Sequence, residues 1–196
     1  SISGGSLALS QSTIADDHGG GVQVTFNATF KIVSDVFAHN GRGGTSVGAL
    51  SIASRSSTEN ELEFCTFYAN EAMEGVGAAV ECNAGVTARY NIMSANGGPM
   101  TPTEIHGNCS YEYTITSPGT PIPGATNHQA DPRFVNPAAA ELSDRDFHVL
   151  PDSAAVLCAD PMVEFTDDTK YDIEDKPRTR PATLGAYQVP DSVPAQ

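Results

Sequence analysis

The chain has 196 residues, a length that suits one domain, or a repeat body with a smaller appendage. Against 10 Lys and Arg stand 24 Asp and Glu, a net charge of −14, which excludes nucleic acid and anionic membrane as expected partners because phosphate binding needs clustered cations. No apolar run approaches the roughly 20 residues that cross a bilayer, so no direct membrane insertion by this chain is expected.

Residues 1–6 hold no charged region followed by an apolar one, so no signal peptide is read there. A first alternating stretch, Leu7 to Ile14, follows at once. Later stretches repeat its pattern, most legibly Leu62 to Asn70, a short alternating strand that closes on an asparagine. Setting the stretches in register on that position aligns Asp17, Asn40, Asn70 and Asn96 at intervals of 23, 30 and 26 residues. Periods of about 20–50 residues signal a solenoid. Three positions before the mark stand Ile14, Phe37, Phe67 and Met93, a bulky apolar column that predicts a core ladder. Five before it stand Ser12, Asp35, Cys65 and Asn91, a small or polar column.

Asn suits the mark because its amide tolerates a left-handed backbone and bonds the local chain at a tight bend. In coils stacked about 4.8 Å apart such amides would also bond to one another, forming a bend ladder; surface-turn asparagines are the plainer alternative. After each mark come a variable loop, a glycine and a second short strand, at 21–24, 48–52 and 77–82. These runs alternate at period two and are too short for helices. The predicted fold is all-β: a right-handed parallel β-helix of about four to five coils over residues 1–115, with no helix of ordinary length. The loops after the marks, if they share a corner, are the best candidate binding surface. A first coil without a cap exposes its core and strand edges, which predicts a fragment of a longer protein, or a partner (including self-assembly) that covers it.

Residues 116–130 read as a Pro/Gly/Thr/Asn-rich connector, and 131–188 as a non-repeating tail with proline breaks and apolar anchors. Here Asp131-Pro132-x-Phe134-Val135, Asp146-Phe147-His148-x-Leu150-Pro151-x-Ser153, Pro177-Arg178 and Gly185-Ala186-Tyr187 occur in order. Together with the ladder, this pattern resembles bacterial right-handed parallel β-helix surface proteins ending in a choice-of-anchor Q domain. Ala154, Cys158 and Gln188 depart from it, where the family has proline, a small residue and an acid. The resemblance implies a tail packed back along the coils, a linker over 189–196 leading to an anchor, and an extracellular or cell-surface location.

Cys82 and Cys109 lie 27 residues apart, about one coil, and are candidates for a disulfide between neighbouring rungs, with free buried thiols as the alternative. The four cysteines lack zinc spacing, so no metal site or cofactor is assigned. The acidic tail run offers Asp172, Glu174 and Asp175 as weak calcium candidates; a solvated charge run, with Asp172 or Asp175 paired to Arg178, is the simpler reading. Sugar hydrolysis needs two carboxylates across a groove, and only Asp16-Asp17, with Asp35 one rung on, comes near. Lyase chemistry needs a base and a cation, yet Lys31, Arg42, Arg55 and Arg89 occur singly. His39 beside Asn40 and Arg42 is the one suggestive cluster. No catalytic residue is therefore assigned. The expected function is structural and adhesive, a rigid rod presenting loops to glycan or protein partners; the alternative is a polysaccharide lyase or glycoside hydrolase whose site lies upstream or goes unrecognised.

Overall fold

A computed structural model describes residues 1–42, 44–54, 57–97, 103–157 and 160–189. Arg55, Cys158 and nearly all of the linker expected over 189–196 lie outside the described residues. The chain winds as a parallel β-solenoid of about four turns, consistent with the right-handed parallel β-helix expected from the repeats. The first coil carries β1 (Ile2–Ser3), β2 (Ser6–Ser10) and β3 (Thr13–Ala15); the second carries β4 (Val22–Phe26), β5 (Thr29–Val33) and β6 (Val36–Ala38). The third holds β7 (Leu50–Ser54), β8 (Glu61–Glu63) and β9 (Thr66–Tyr68); the fourth holds β10 (Val80–Cys82), β11 (Thr87–Arg89) and β12 (Ile92–Ser94). Last come β13 (Ile105–Gly107), β14 (Ser110–Glu112) and β15 (Ile115–Thr116). Like strands stack in parallel, giving one sheet from β1, β4, β7, β10 and β13, a second from β2, β5, β8, β11 and β14, and a third starting at β3.

Inward positions align across coils. Val22, Leu50, Val80 and Ile105 form one column, Leu9, Ile32 and Leu62 a second, and Ile14, Phe37, Phe67 and Met93 a third. Phe37, Phe67 and Met93 are fully buried. The corners on either side of the third sheet turn on residues of left-handed backbone: Gln11, Ser34, Phe64, Tyr90 and Tyr113 before it, and Asp16, His39, Ala69 and Ala95 after it. This corrects the expectation that the asparagines adopt that conformation. The residue before each asparagine does so, and the amide itself bonds the neighbouring coils. Each strained corner keeps its own pairing, as where Phe64 N donates to Arg89 O at 3.1 Å and His39 N to Tyr68 O at 3.0 Å.

Within the expected connector, β16 (His128–Gln129) adds a sixth strand to the third sheet beside β15. Both its side chains are exposed, so backbone pairing alone makes it a strand and no apolar alternation marks it. The tail adds β17 (Phe134–Asn136) antiparallel to β18 (Asp146–Val149), and one helical turn, α1 (Ala154–Leu157). It runs back over the outer face of the third sheet, packing Phe147 and Ala186 on Val36 and Ala38, and Val149, Ala155 and Leu184 on Phe64, Tyr90 and Ile92. Val36–Ala38 are consequently buried on both faces and show no alternation. Gly185, at φ +80°, comes so close that a Cβ would lie 2.6 Å from Thr66 Oγ1, which is why this anchor is glycine.

Candidate functional site

The asparagines form a continuous hydrogen-bonded column. Asn40 Nδ2 donates to Asn70 Oδ1 at 3.0 Å and to Ile14 O at 2.8 Å; Asn70 Nδ2 donates to Asn96 Oδ1 at 2.8 Å and to Phe37 O at 3.0 Å. Each Oδ1 also accepts the backbone N–H of the preceding mark, from Asp17, Asn40 and Asn70 in turn. Glu104, which the sequence reading missed, closes the column: its Oε1 accepts Asn96 N at 3.1 Å, and its two oxygens take Ser117 Oγ and N, each at 2.9 Å. Glu104 is buried, which pushes its carboxyl up against the opposing pull of those hydrogen bonds. It stands just before β13, level with Ala79 and not with the asparagines, so no spacing flagged it.

A second polar column lies at the other corner. Asn91 Oδ1 accepts Cys65 N at 2.8 Å while its Nδ2 donates to Leu62 O at 3.1 Å. Asp35 accepts Ser12 N at 2.8 Å through Oδ1, but its buried Oδ2 has no partner. Burial pushes its pKa up to about 7. Beside it Cys65 is a buried free thiol, driven well above the ordinary range by the same desolvation. Cys82 and Cys109 form a disulfide that ties the fourth coil to the fifth.

The loops after the asparagines do share a corner. Gly41 N donates to Asp17 O, Glu71 N to Asn40 O and Met73 N to Thr45 O, each at 2.8 Å, so backbone pairing continues past the marks. Gly41, at φ +74°, has no room for a Cβ, which would lie 2.0 Å from Glu71 O. On this corner opens a cleft of about 290 Å³ lined by Asp16, His18, His39, Gly41, Arg42, Ala69 and Glu71. Arg42 donates to His18 Nδ1. A guanidinium only donates, so the His18 proton sits on Nε2. The tail's Arg145, itself almost buried, fixes Asp16 through contacts of 3.1 and 3.0 Å. His39 meets Tyr68 edge-on at 5.5 Å, and its buried Nε2 has no partner. Donor (His18, Arg42) and acceptor (Asp16, Glu71) residues thus line one opening.

The carboxylates weighed for sugar hydrolysis do not gather there as a set. Asp16 lines the cleft, Asp17 Oδ1 accepts Gly19 N at 2.9 Å, and Asp35 lies buried at the opposite corner. Lys31 pairs with Glu61 and Asp168, and Arg89 with Glu63 and Glu112. Nor do the calcium candidates converge. Asp172 is fully buried and accepts Glu174 N, Lys176 N and Gln188 N at 2.8–2.9 Å; Glu174 binds His148 and Lys176, and Asp175 accepts Gln11 Nε2. Among the described residues no group of three His, Cys, Asp or Glu is placed to hold a metal ion, and no helix is long and apolar enough to cross a membrane. Arg178 makes no ion pair with Asp172 or Asp175 among the described residues. It donates instead to Ser34 Oγ and to the carbonyls of Thr183, Gly185 and Ala186 at 3.1–3.3 Å, with its guanidinium 4.1 Å above the Phe64 ring.

Compared with protein-family models, with curated proteins and with solved structures, the chain has no match.

Proposed function

We propose that this chain is a non-catalytic β-helix module of an extracellular or cell-surface protein, of the kind that ends in a choice-of-anchor Q domain, and that its loop corner binds a glycan. The observation that carries this reading is that donor and acceptor residues line one open cleft on a rigid stack. A sugar hydroxyl both donates and accepts, so it pairs with His18 or Arg42 on one side and with Asp16 or Glu71 on the other. A disulfide suits an oxidising compartment. A panel of neutral and acidic polysaccharides tests the proposal, with calcium and with chelator, scoring retention of undigested glycan alongside release of reducing ends and unsaturated sugars. Retention without release is expected, reduced about tenfold by Arg42→Ala or Glu71→Gln. No retention of any glycan overturns the reading and leaves assembly with protein partners or further copies of the chain.

The alternative, a polysaccharide-active enzyme, draws on one specific feature: Asp16 and Glu71 line the same cleft, and glycoside hydrolysis runs on two carboxylates. Sugar release lost in both Glu71→Gln and His39→Ala would establish it.

A further inference from the structure

At the first coil, β1, β2 and β3 each stand at the edge of their sheet, paired on one side only among the described residues. In a parallel pair the N–H and C=O of one residue point the same way, and successive residues point opposite ways. Gly5 O accepts Thr29 N at 2.9 Å and Gln11 N donates to Val33 O at 3.2 Å. Leu7 and Leu9 of β2 therefore turn their backbone groups to β5, and Ser6, Ala8 and Ser10 turn theirs to the open edge.

This coil nearly reads as its own reverse about Ala8. Leu7 and Leu9 flank it, then come Ser6 and Ser10, then, past the corners, Ser3 with Thr13 and Ile2 with Ile14 at equal distances on the two sides. The backbone follows the same symmetry, since Gly5 and Gln11, each three residues from Ala8, are both left-handed, at φ +80° and +50°. Ile2, Leu7, Leu9 and Ile14 pack on the core yet stay partly exposed. Natural edges are ordinarily blunted by charge or proline, and residues 1–15 carry no charged side chain and no proline in a chain of net charge −14. The next charge, Asp16, is already paired with Arg145.

We infer that this edge docks a second copy of the chain, head to head about a two-fold axis through Ala8. The two Ala8 residues exchange both backbone hydrogen bonds, Ser6 of each copy faces Ser10 of the other, and Leu7 meets Leu9 on the inward side. An axis normal to the second sheet swaps the sheets on either side of β2, so Ile2 of each copy lies toward Ile14 of the other and the two cores join. A cationic partner would seek the acidic surface elsewhere. A second copy, repelled by that same surface, meets no charge here.

The test is light scattering on the whole chain from about 1 to 200 µM, with amide hydrogen exchange at both ends of the range. The mass should rise from one chain to two and stop there, because an isologous contact closes. The Ala8 N–H should gain protection with concentration, whereas the Leu9 N–H, bonded within the chain, is protected throughout. Ser6→Lys/Ser10→Lys sets like charges opposite one another twice across the axis and should weaken dimerisation about tenfold. Ser6→Lys/Ser10→Glu sets opposite charges there and should restore it. Both serines are exposed, so neither variant should change the melting temperature of the single chain. A mass of one chain throughout, growth beyond two, Ala8 exchange that ignores concentration, or equal dimerisation in the two variants overturns the inference.

Discussion

Phe37 and Phe67 stack inside the solenoid with ring centroids 5.0 Å apart and planes 7° from parallel, so one rung of the core rests directly on the next. Their strands pair in register, which leaves the rings no offset along the chain. Phe67→Ala should therefore cost about 3–5 kcal/mol, as a buried aromatic lost from a close-packed core does. Chemical denaturation measures it, and an unchanged midpoint would contradict the stacked core.

That ladder was legible because core positions recur at a fixed distance from an asparagine, and parallel stacking turns sequence register into contact. Other parts of the molecule carry no such signal. Glu104 reaches the asparagine column from the corner before β13, β16 pairs through backbone alone, and the cleft gathers His18, His39 and Glu71 from three successive turns. Each loop shows one polar residue that looks like ordinary surface. Charge counting favours a carboxylate partner for Arg178, whereas the stacked tail offers it a cluster of carbonyls.

Asn70 sits in the middle of its column and is fully buried. In Asn70→Ala, the Asn40 N–H and Nδ2 both lose an acceptor while Phe37 O loses a donor. At about 1–3 kcal/mol for each buried group left unpaired, a loss of about 2–4 kcal/mol is expected. Asn70→Asp keeps the acceptor but not the donors, so its deficit should shrink as acid protonates the new carboxyl. A stability profile of both variants between pH 4 and pH 8 checks this, with ordinary carboxyls titrating at about 4.

Asp35 makes stability pH-dependent in a definite direction. Its carboxyl titrates near 3.8 in the unfolded chain and at about 7 in the fold, raised first of all by burial. The folded state binds the proton more tightly, so its contribution is complete below the unfolded value and is lost as pH rises through the folded one. Asp35→Asn puts at this position the amide that Asn91 carries in the same column. The variant should melt higher than the parent at pH 8, by up to a few kcal/mol of stability, and should lose that advantage by about pH 4. An advantage independent of pH would show that Asp35 is ionised throughout.

The Cys82–Cys109 bond closes a loop across two coils, 27 residues apart in sequence. A loop of this size predicts about 2–4 kcal/mol lost in Cys82→Ala/Cys109→Ala. Reductant should lower the parent's melting temperature toward the variant's and leave the variant's alone. Cys65, buried with its thiol held protonated, should resist alkylating reagents until the coils open.

Arg178 decides whether the tail stays on the stack. Burial brings its pKa down to about 10, which leaves it charged at neutral pH, and it lies over Phe64, whose ring stacks on Tyr90 at 4.7 Å. Ser34 is the small residue of that corner column, and its hydroxyl receives the guanidinium. Arg178→Met keeps much of the apolar stem but takes the guanidinium from the carbonyls of Thr183 and Gly185, which should cost about 2–4 kcal/mol of tail docking. Hydrogen exchange locates the loss. Gly185 N–H, bonded to Tyr90 O, and Ala186 N–H, bonded to Thr66 Oγ1, should lose protection, whereas the Asn40 N–H inside the ladder keeps it. Equal loss at all three would mean that tail and coils unfold as one unit, because a tail that merely lies on a finished solenoid can leave without opening it.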